Sequence, residues 1–555
     1  MAPARLENLL CLLAVALSLS LLVVANGPAG FTPHFDYLEA PVGHLKPTEH
    51  EWAQHLRENL DVDMAYWRQR GRLKANATIE LYYDIMKRHF LPAVFKVVLI
   101  YKNQIYFPLR DDPHERVPPQ PSAPQMDAFF RQLQPLLDRG EIRMPDVLFT
   151  YNVEDNQPRW CGPDKNCTAP LLSIIKTADG AAGSDTDILI PQFLFLAKST
   201  YHYPWHLKKD VAFFRGTPFC SNWWAAKFEP KCTAPCTRAW LSFLSMQDEE
   251  QGRGQSVLDV ALVEPYLGSS SCISKKPPVR KGMPLANHTY FKYLLHLEGH
   301  TTSFRLGMLF HTNSLVLYQN QPFLGHYTRS LRPNVHYVPF WNTTSRGMGM
   351  EDIYDVMQAV RHKDSVYPQE IQRIIRDAQQ FAVKYLSLSS RARYLRDALQ
   401  SYKSLFEDMD PFIEQLVARM RERGFRIPHY QGVASGRNLV GGRIRLASCR
   451  ATRLRVEYCR DCVLMATGLQ DCELLLVGCS QLRLVLRGCS GLVLRELQCS
   501  DMGDCVRRRC ERFSHEIVCL RCACKPMSGG GGGGWGLGGS GGAGNDPCGL
   551  RAGAA

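Results

Sequence analysis

The chain has 555 residues, 45% apolar, 21% charged and 10% aromatic, with one long apolar run near its N-terminus. This excludes a disordered chain, a polytopic membrane protein and a single small module, and at roughly 100–200 residues per domain it predicts two to four domains. The formal net charge of +13 would permit nucleic-acid or membrane-surface binding, but residues 430–525 hold 16 Arg or Lys against 9 Asp or Glu, so about half of the excess is local.

Leu9 to Ala25 is a 17-residue run, apolar apart from Ser18 and Ser20, preceded by Arg5 and ending in Val23-Val24-Ala25. It reads as a signal peptide (residues 1–25) or as a short membrane anchor, since this length is at the lower limit for spanning a bilayer. Either reading places the remainder in a lumen or outside the cell, in the endoplasmic reticulum, the Golgi or beyond. Twenty cysteines and the sequons at Asn76, Asn166, Asn287 and Asn342 fit that compartment.

From Phe31 to about Leu207 the pattern is mixed α/β. Glu51 to Gly71 is helix-like, Phe95 to Tyr101 is a β-branched apolar strand, Met126 to Leu137 has helical spacing, and Asp146 to Asn152 is a buried strand. Strand, helix and strand in that order predict βαβ units. The alternation returns in Asp210 to Gly216, Lys292 to His296, Ser303 to Phe310 and Ser314 to Tyr318, and Pro368 to Phe425 is long and helical. The expected domains are an N-terminal α/β lobe at 30–207, a second at 208–365 and a helical segment at 366–427.

Residues 430–525 differ. Cysteines recur at 449, 459, 462, 472, 479, 489 and 499, mostly ten apart, with Leu/Val alternation between them. This predicts stacked short strands, such as a small β-helix, with unfolded low-complexity sequence as the competing reading. Cys459-x-x-Cys462 and Cys519-x-x-Cys522-x-Cys524 have zinc-like spacing but no paired histidines, so structural disulfides are the preferred explanation. Arg507-Arg508-Arg509 reads as a solvated face or a retention-type signal rather than a nucleic-acid site. The tail at 526–555 includes six consecutive glycines, Gly529 to Gly534, and is expected to be disordered.

Two adjacent α/β lobes place strand C-termini around a shared cleft, where phosphate-bearing ligands bind. Neither a Gly-x-Gly-x-x-Gly nor a Walker loop stands at a strand-to-helix junction, which disfavours a nicotinamide dehydrogenase or a P-loop ATPase. The most informative stretch is Lys292 to Leu306. There a strand runs into Gly299, Thr301, Thr302 and Ser303, then Phe304 and Arg305, a turn suited to an anion or equally to ordinary helix capping.

This stretch is followed by Leu331-Arg332-Pro333 to Pro339. Upstream stand Phe213-Phe214-Arg215-Gly216 and Pro145-Asp146-Val147 through Asn152-Val153-Glu154-Asp155. Together these blocks resemble the CAP10 family, which includes Rumi-type protein O-glucosyltransferases. The resemblance implies a two-lobed GT-B fold with Rossmann-like lobes, the first on the acceptor side and the second on the nucleotide-sugar side. It implies inverting transfer from a UDP-sugar to a hydroxyl of a protein or glycan, with no metal or cofactor and no nucleic-acid partner. Glucose or xylose is the expected sugar. Asp155 matches the family's catalytic base, with Asp146 and Glu154 as alternatives. Arg215 and Arg305 are assigned to the diphosphate, with a salt bridge to a neighbouring acidic group as the alternative for Arg215, and Gly216, Gly299, Thr301, Thr302, Ser303 and Phe304 line the nucleotide-sugar site.

Two departures stand out: Gly325-His326-Tyr327 replaces an expected acidic residue, and Thr217-Pro218 lacks the second basic residue of Rumi-like members. A catalytically inactive carbohydrate-binding or scaffold protein of the same fold is therefore the alternative. The six cysteines at 161, 167, 220, 232, 236 and 272 form an even set for which disulfides are expected, Cys161 and Cys167 closing a small loop.

Overall fold

The computed structural model describes residues 37–41, 45–155, 160–162, 167–178, 185–221, 236–252, 257–268, 272–341 and 352–427, and the backbone of strands between 443 and 518. The expected signal or anchor segment, the glycine-rich tail, Asn166, Asn342, Cys232 and the cysteines between 449 and 499 lie outside the described residues. Two compact units account for the chain: Met1–Phe107, Val117–Leu136 and Ile142–Met409 form one, and Pro108–Arg116, Leu137–Glu141 and Asp410–Ala555 the other.

In the first unit, Thr48 opens helix α1 (Glu49–Leu56) with a capping box. Thr48 Oγ1 accepts from Glu51 N at 3.2 Å, and Thr48 N donates to the Glu51 carboxylate at 2.8 Å. A π-helical turn (Arg57–Asp61) leads into α2 (Val62–Gln69), and α3 (Asn76–His89) follows. The first sheet comprises β1 (Phe95–Tyr101), β2 (Gln104–Tyr106), β3 (Val147–Asn152), β4 (Leu172–Ser173) and β5 (Ile188–Leu189), in the order β2-β1-β3-β4-β5. All residues of β1 and β3 are buried; apolar side chains make up most of both faces, and the buried polar ones are hydrogen-bonded, Lys96 to Pro121 O, Thr150 to Thr78 O and Asn152 to Ser173 Oγ.

The expected βαβ unit is not what forms between β1 and β3, which pair antiparallel. The reason is a two-residue hairpin. Lys102 and Asn103, with φ of 47° and 63°, reverse the chain straight into β2. The helix Pro124–Asp138 (α4) therefore starts beside the beginning of β1, where Ala123 N donates to Ala93 O at 2.9 Å, and β3 enters from the opposite end. Asp146 belongs to this hairpin: it accepts from Lys102 N and from Lys102 Nζ, both at 2.7 Å.

The second sheet is wholly parallel. It contains β6 (Lys209–Gly216), β7 (Leu258–Leu262), β8 (Phe291–His296), β9 (Leu315–Gln319) and β10 (Val338–Phe340), in the order β7-β6-β8-β9-β10. Its faces are covered separately. Ala212, Phe214, Tyr293, Leu295 and Leu317 pack with α5 (Thr237–Glu250), α7 (Asp352–Val366) and the first half of α8 (Pro368–Tyr385). Phe213, Leu294 and Val316 pack with α6 (Leu306–Leu309) and the second half of α8. One stripe on α8, Ile371, Ile374, Ile375, Ala378, Phe381 and Ala382, supplies both contacts through its i, i+3, i+4 spacing. The helix α9 (Leu388–Lys403) follows, capped by Ser387.

In the second unit, α10 (Met409–Glu422) leads to Arg423, which donates to Pro108 O and Arg110 O at 3.0 and 2.8 Å. The repeat follows as β11 (Arg443–Ala447), β12 (Arg453–Glu457), β13 (Val463–Thr467), β14 (Glu473–Val477), β15 (Arg483–Arg487), β16 (Val493–Leu497), β17 (Cys505–Arg508) and β18 (Ser514–Val518). Successive strands alternate between two parallel sheets, β11-β13-β15-β17 and β12-β14-β16-β18. Arg443 pairs with Val463 and Arg453 with Glu473, so two ten-residue repeats separate hydrogen-bonded neighbours. Among the described residues, no helix is long and apolar enough to cross a membrane.

Candidate functional site

The strand order of the parallel sheet reverses between β6 and β8. In an open α/β sheet the crevice beyond the strand C-termini at such a switch point is the usual ligand site. Here β6 ends in Arg215-Gly216 and β8 runs into Leu297-Glu298-Gly299, so two of the sequence-predicted segments meet there.

Arg305 spans them. Its Nη1 donates to Arg215 O at 2.6 Å, and its guanidinium lies 5.2 Å from the centre of the Phe214 ring. A second guanidinium, absent from the sequence reading, comes from the first turn of α5. Arg238 is buried and lies 5.3 Å from the same ring. It donates to Glu298 O at 2.6 Å and to Thr217 O at 2.9 Å, tying together the loops that follow β8 and β6. Burial and the neighbouring Arg305 charge pull Arg238 down to about 9, while Glu298 and Asp155 act in the opposite sense. It remains cationic at neutral pH. Burial likewise lowers Arg305. His296, at the end of β8, is pushed down to about 3 by burial and by the charges of Arg238 and Arg305.

Both glycines serve close approach. A Cβ on Gly216 would stand 2.7 Å from a Phe214 ring carbon and 3.4 Å from Arg305 Nη2, and one on Gly299 would stand 3.2 Å from Arg238 Nη2. Gly299 N donates to Thr301 O at 2.7 Å, closing the turn and burying Thr301 and Thr302. His300 stacks on the exposed ring of Phe219 at 4.5 Å, and Phe304 stacks on Phe195 at 6.1 Å. Ser303 Oγ accepts from Arg305 N at 3.4 Å, so it supports the turn.

The carboxylate comes from the first sheet. Beyond β3, Asn152 is held by its side chain, which donates to Ser173 Oγ at 2.9 Å and accepts from Glu154 N at 2.9 Å. Asp155 follows, half-buried, and Thr301 Oγ1 donates to its Oδ1. Asp155 and the turn carrying Arg305 therefore meet within one unit although they are far apart in sequence. Glu154 is buried beside Asp155, whereas Asp146 lies at the other end of β3 in the Lys102 hairpin.

Arg215 turns away from this group. Its guanidinium forms a 2.5 Å ion pair with Asp259, which also meets Arg280 at 3.4 Å. His326 is buried and held well below its ordinary value, by burial first and then by the charge of Arg391. Among the described residues no group of three His, Cys, Asp or Glu side chains is arranged to hold a metal ion. Cys161–Cys167 and Cys220–Cys236 are disulfides; the second ties the loop after β6 to the start of α5, next to Arg238.

The sequence model of glycosyl transferase family 90 matches residues 131–423, more than half of the chain. Protein O-glucosyltransferase 1 of Rattus norvegicus and of Homo sapiens are each 24% identical to the chain over 286 residues, covering 47% of this chain and 63% of each relative. O-glucosyltransferase rumi of Drosophila pseudoobscura pseudoobscura is 25% identical over 285 residues, covering 47% of this chain and 61% of its own length. The chain thus spans less than two thirds of the length of these relatives.

Proposed function

The chain belongs to glycosyl transferase family 90, and from that premise we propose that it is an inverting, GT-B type glycosyltransferase of the secretory pathway. It moves glucose or xylose from a UDP-sugar to a hydroxyl of a protein or glycan. The observation that carries this reading is the meeting of one half-buried carboxylate, Asp155, with a turn backed by two guanidinium groups at the switch point of a parallel sheet.

In the proposed reaction the acceptor hydroxyl takes the place of Thr301 Oγ1 against Asp155. The carboxylate accepts its proton as the oxygen attacks the anomeric carbon from the face opposite the diphosphate. Arg305, with Arg238 behind it, supplies fixed positive charge toward the departing diphosphate, helped by the turn at Thr301 and Thr302. These groups meet the leaving group's charge without a metal. Arg215, paired to Asp259, acts through its carbonyl, which positions Arg305. The 430–525 repeat is read as a small β-helix serving as an accessory module.

That engagement of Arg215, with the burial of His326, favours one other reading: a catalytically silent protein that binds a nucleotide sugar or glycan. Mass spectrometry of products formed from a mixture of UDP-glucose, UDP-xylose and UDP-galactose on folded, disulfide-bonded protein acceptors separates the two. A product heavier by one hexose or pentose supports transfer. UDP binding without product across the panel supports the silent reading.

A further inference from the structure

A cavity of about 340 Å³ lies apart from the candidate site, between α1 with its π-helical turn, the segment Ser330–His336 and the C-terminal half of α8. This is within the roughly 300–1,000 Å³ range of small-ligand sites. Among its lining residues are aromatic rings in contact: His55 and Tyr385 stack at 4.4 Å, Phe381 lies 4.9 Å from Tyr385, and His336 lies 5.0 Å from Phe381. Burial pushes His55 down to about 4, so its ring is neutral at physiological pH.

The remaining polar lining alternates donors and acceptors. Arg332 pairs with Glu58 at 2.6 Å, Ser330 donates to the same carboxylate at 2.7 Å, and Lys384 pairs with Glu51 at 2.7 Å. Asp377 and Gln380 add an acceptor and a mixed group. Both cations are already matched by carboxylates, and Asp377 would repel an anion, so the cavity is poorly suited to a phosphate. What it offers is apolar ring surface beside groups that donate and groups that accept. A hydroxyl does both, and a pyranose ring presents a face of C–H groups edged by hydroxyls.

We propose that this cavity is a second, non-catalytic saccharide site that holds one neutral pyranose unit against Tyr385 and hydrogen-bonds it through Glu58, Arg332 and Gln380. None of these residues belongs to the group around Asp155, so the site goes beyond the transfer reading and does not depend on it.

The test is saturation-transfer NMR on the full chain with methyl β-D-glucopyranoside and methyl β-D-xylopyranoside, in the presence of saturating UDP. Saturation should reach the ring C–H protons, and the emission of Trp52, which stacks on Tyr385 at 6.3 Å, should change on titration. Tyr385→Ala should weaken binding about tenfold, the scale of one lost aromatic contact. Tyr385→Phe should retain it, and Glu58→Gln, which leaves the ring floor intact, should weaken it independently. Asp155→Asn and Arg305→Ala should leave glycoside binding unchanged. No saturation transfer, loss through Asp155→Asn with Tyr385→Ala unaffected, or binding of lysine methyl ester in place of both glycosides would overturn the proposal. A hexosylated peptide that binds when its bare counterpart does not would identify the sugar as acceptor-borne; equal binding of the free glycoside would identify it as soluble saccharide.

Discussion

At Gly216 the absence of a side chain has a measurable consequence. A Cβ there would stand 2.7 Å from the ring of Phe214, the ring that Arg238 and Arg305 both approach. Gly216→Ala should therefore cost about 1–3 kcal/mol, the scale of an overpacked core, and displace the Arg305 guanidinium. Calorimetry would show the loss of stability, and UDP titration a weaker affinity; a variant matching wild type in both would remove the close approach from the account. At this scale the sequence was only partly legible. Arg305 and Asp155 stood out because their flanking residues resemble known blocks. Arg238 did not, because nothing in Cys236-Thr237-Arg238 reports that the helix beginning there aims its guanidinium at carbonyls of the loops after β6 and β8. Arg215 could be read as a ligand for the diphosphate or as half of an ion pair, and only the neighbouring strand brings Asp259 beside it.

Among the elements, β1, β3, β6, β8 and β9 were legible as short apolar-rich runs, since strands covered on both faces need mostly apolar side chains, although β6 opens on the exposed Lys209 and Asp210. The predicted helix at Ser303–Phe310 is shortened to Leu306–Leu309 because Phe304 and Arg305 form a turn ahead of it, in which Ser303 Oγ accepts from Arg305 N. The Lys102-Asn103 hairpin escaped notice because its positive φ values fall partly on a lysine, which Asp146 holds in place. Disulfide Cys220–Cys236 fastens the β6 loop to the start of α5 across a separation of 16 residues. A closed loop of about that size is worth roughly 3 kcal/mol. The double variant Cys220→Ser/Cys236→Ser should melt several degrees lower and bind UDP more weakly, because Arg238 loses its anchor. An unchanged UDP affinity would separate the disulfide from the site.

For the molecule as a whole, acid sensitivity follows from its buried histidines. His55 and His311 are held down to about 4, and His288 and His296 to about 3, in each case chiefly by burial; His326 is displaced in the same direction. The unfolded chain binds protons at these rings below about pH 6.5, whereas the folded chain does not until the pH reaches the lowered values. Stability is therefore complete above pH 6.5 and is lost as the pH falls toward 4, by up to about 1.4 kcal/mol per pH unit for each ring. Glu51, lowered to about 2 by its hydrogen bond from Lys384, adds loss in the same direction below its ordinary value near 4.5. Melting temperatures should be level from pH 7 to 8 and fall steeply below 6.5; a flat profile down to pH 4.5 would mean that these rings are already protonated when folded.

The central claim is that Asp155 removes the acceptor proton while the Arg305 turn holds the diphosphate. Its most direct test is the rate of sugar transfer by wild type and by Asp155→Asn, measured beside the UDP affinity of each. The account predicts a fall in turnover of about 10²–10⁴-fold, the usual contribution of a positioned general base, with UDP affinity preserved. Transfer by Asp155→Asn at the wild-type rate would contradict it.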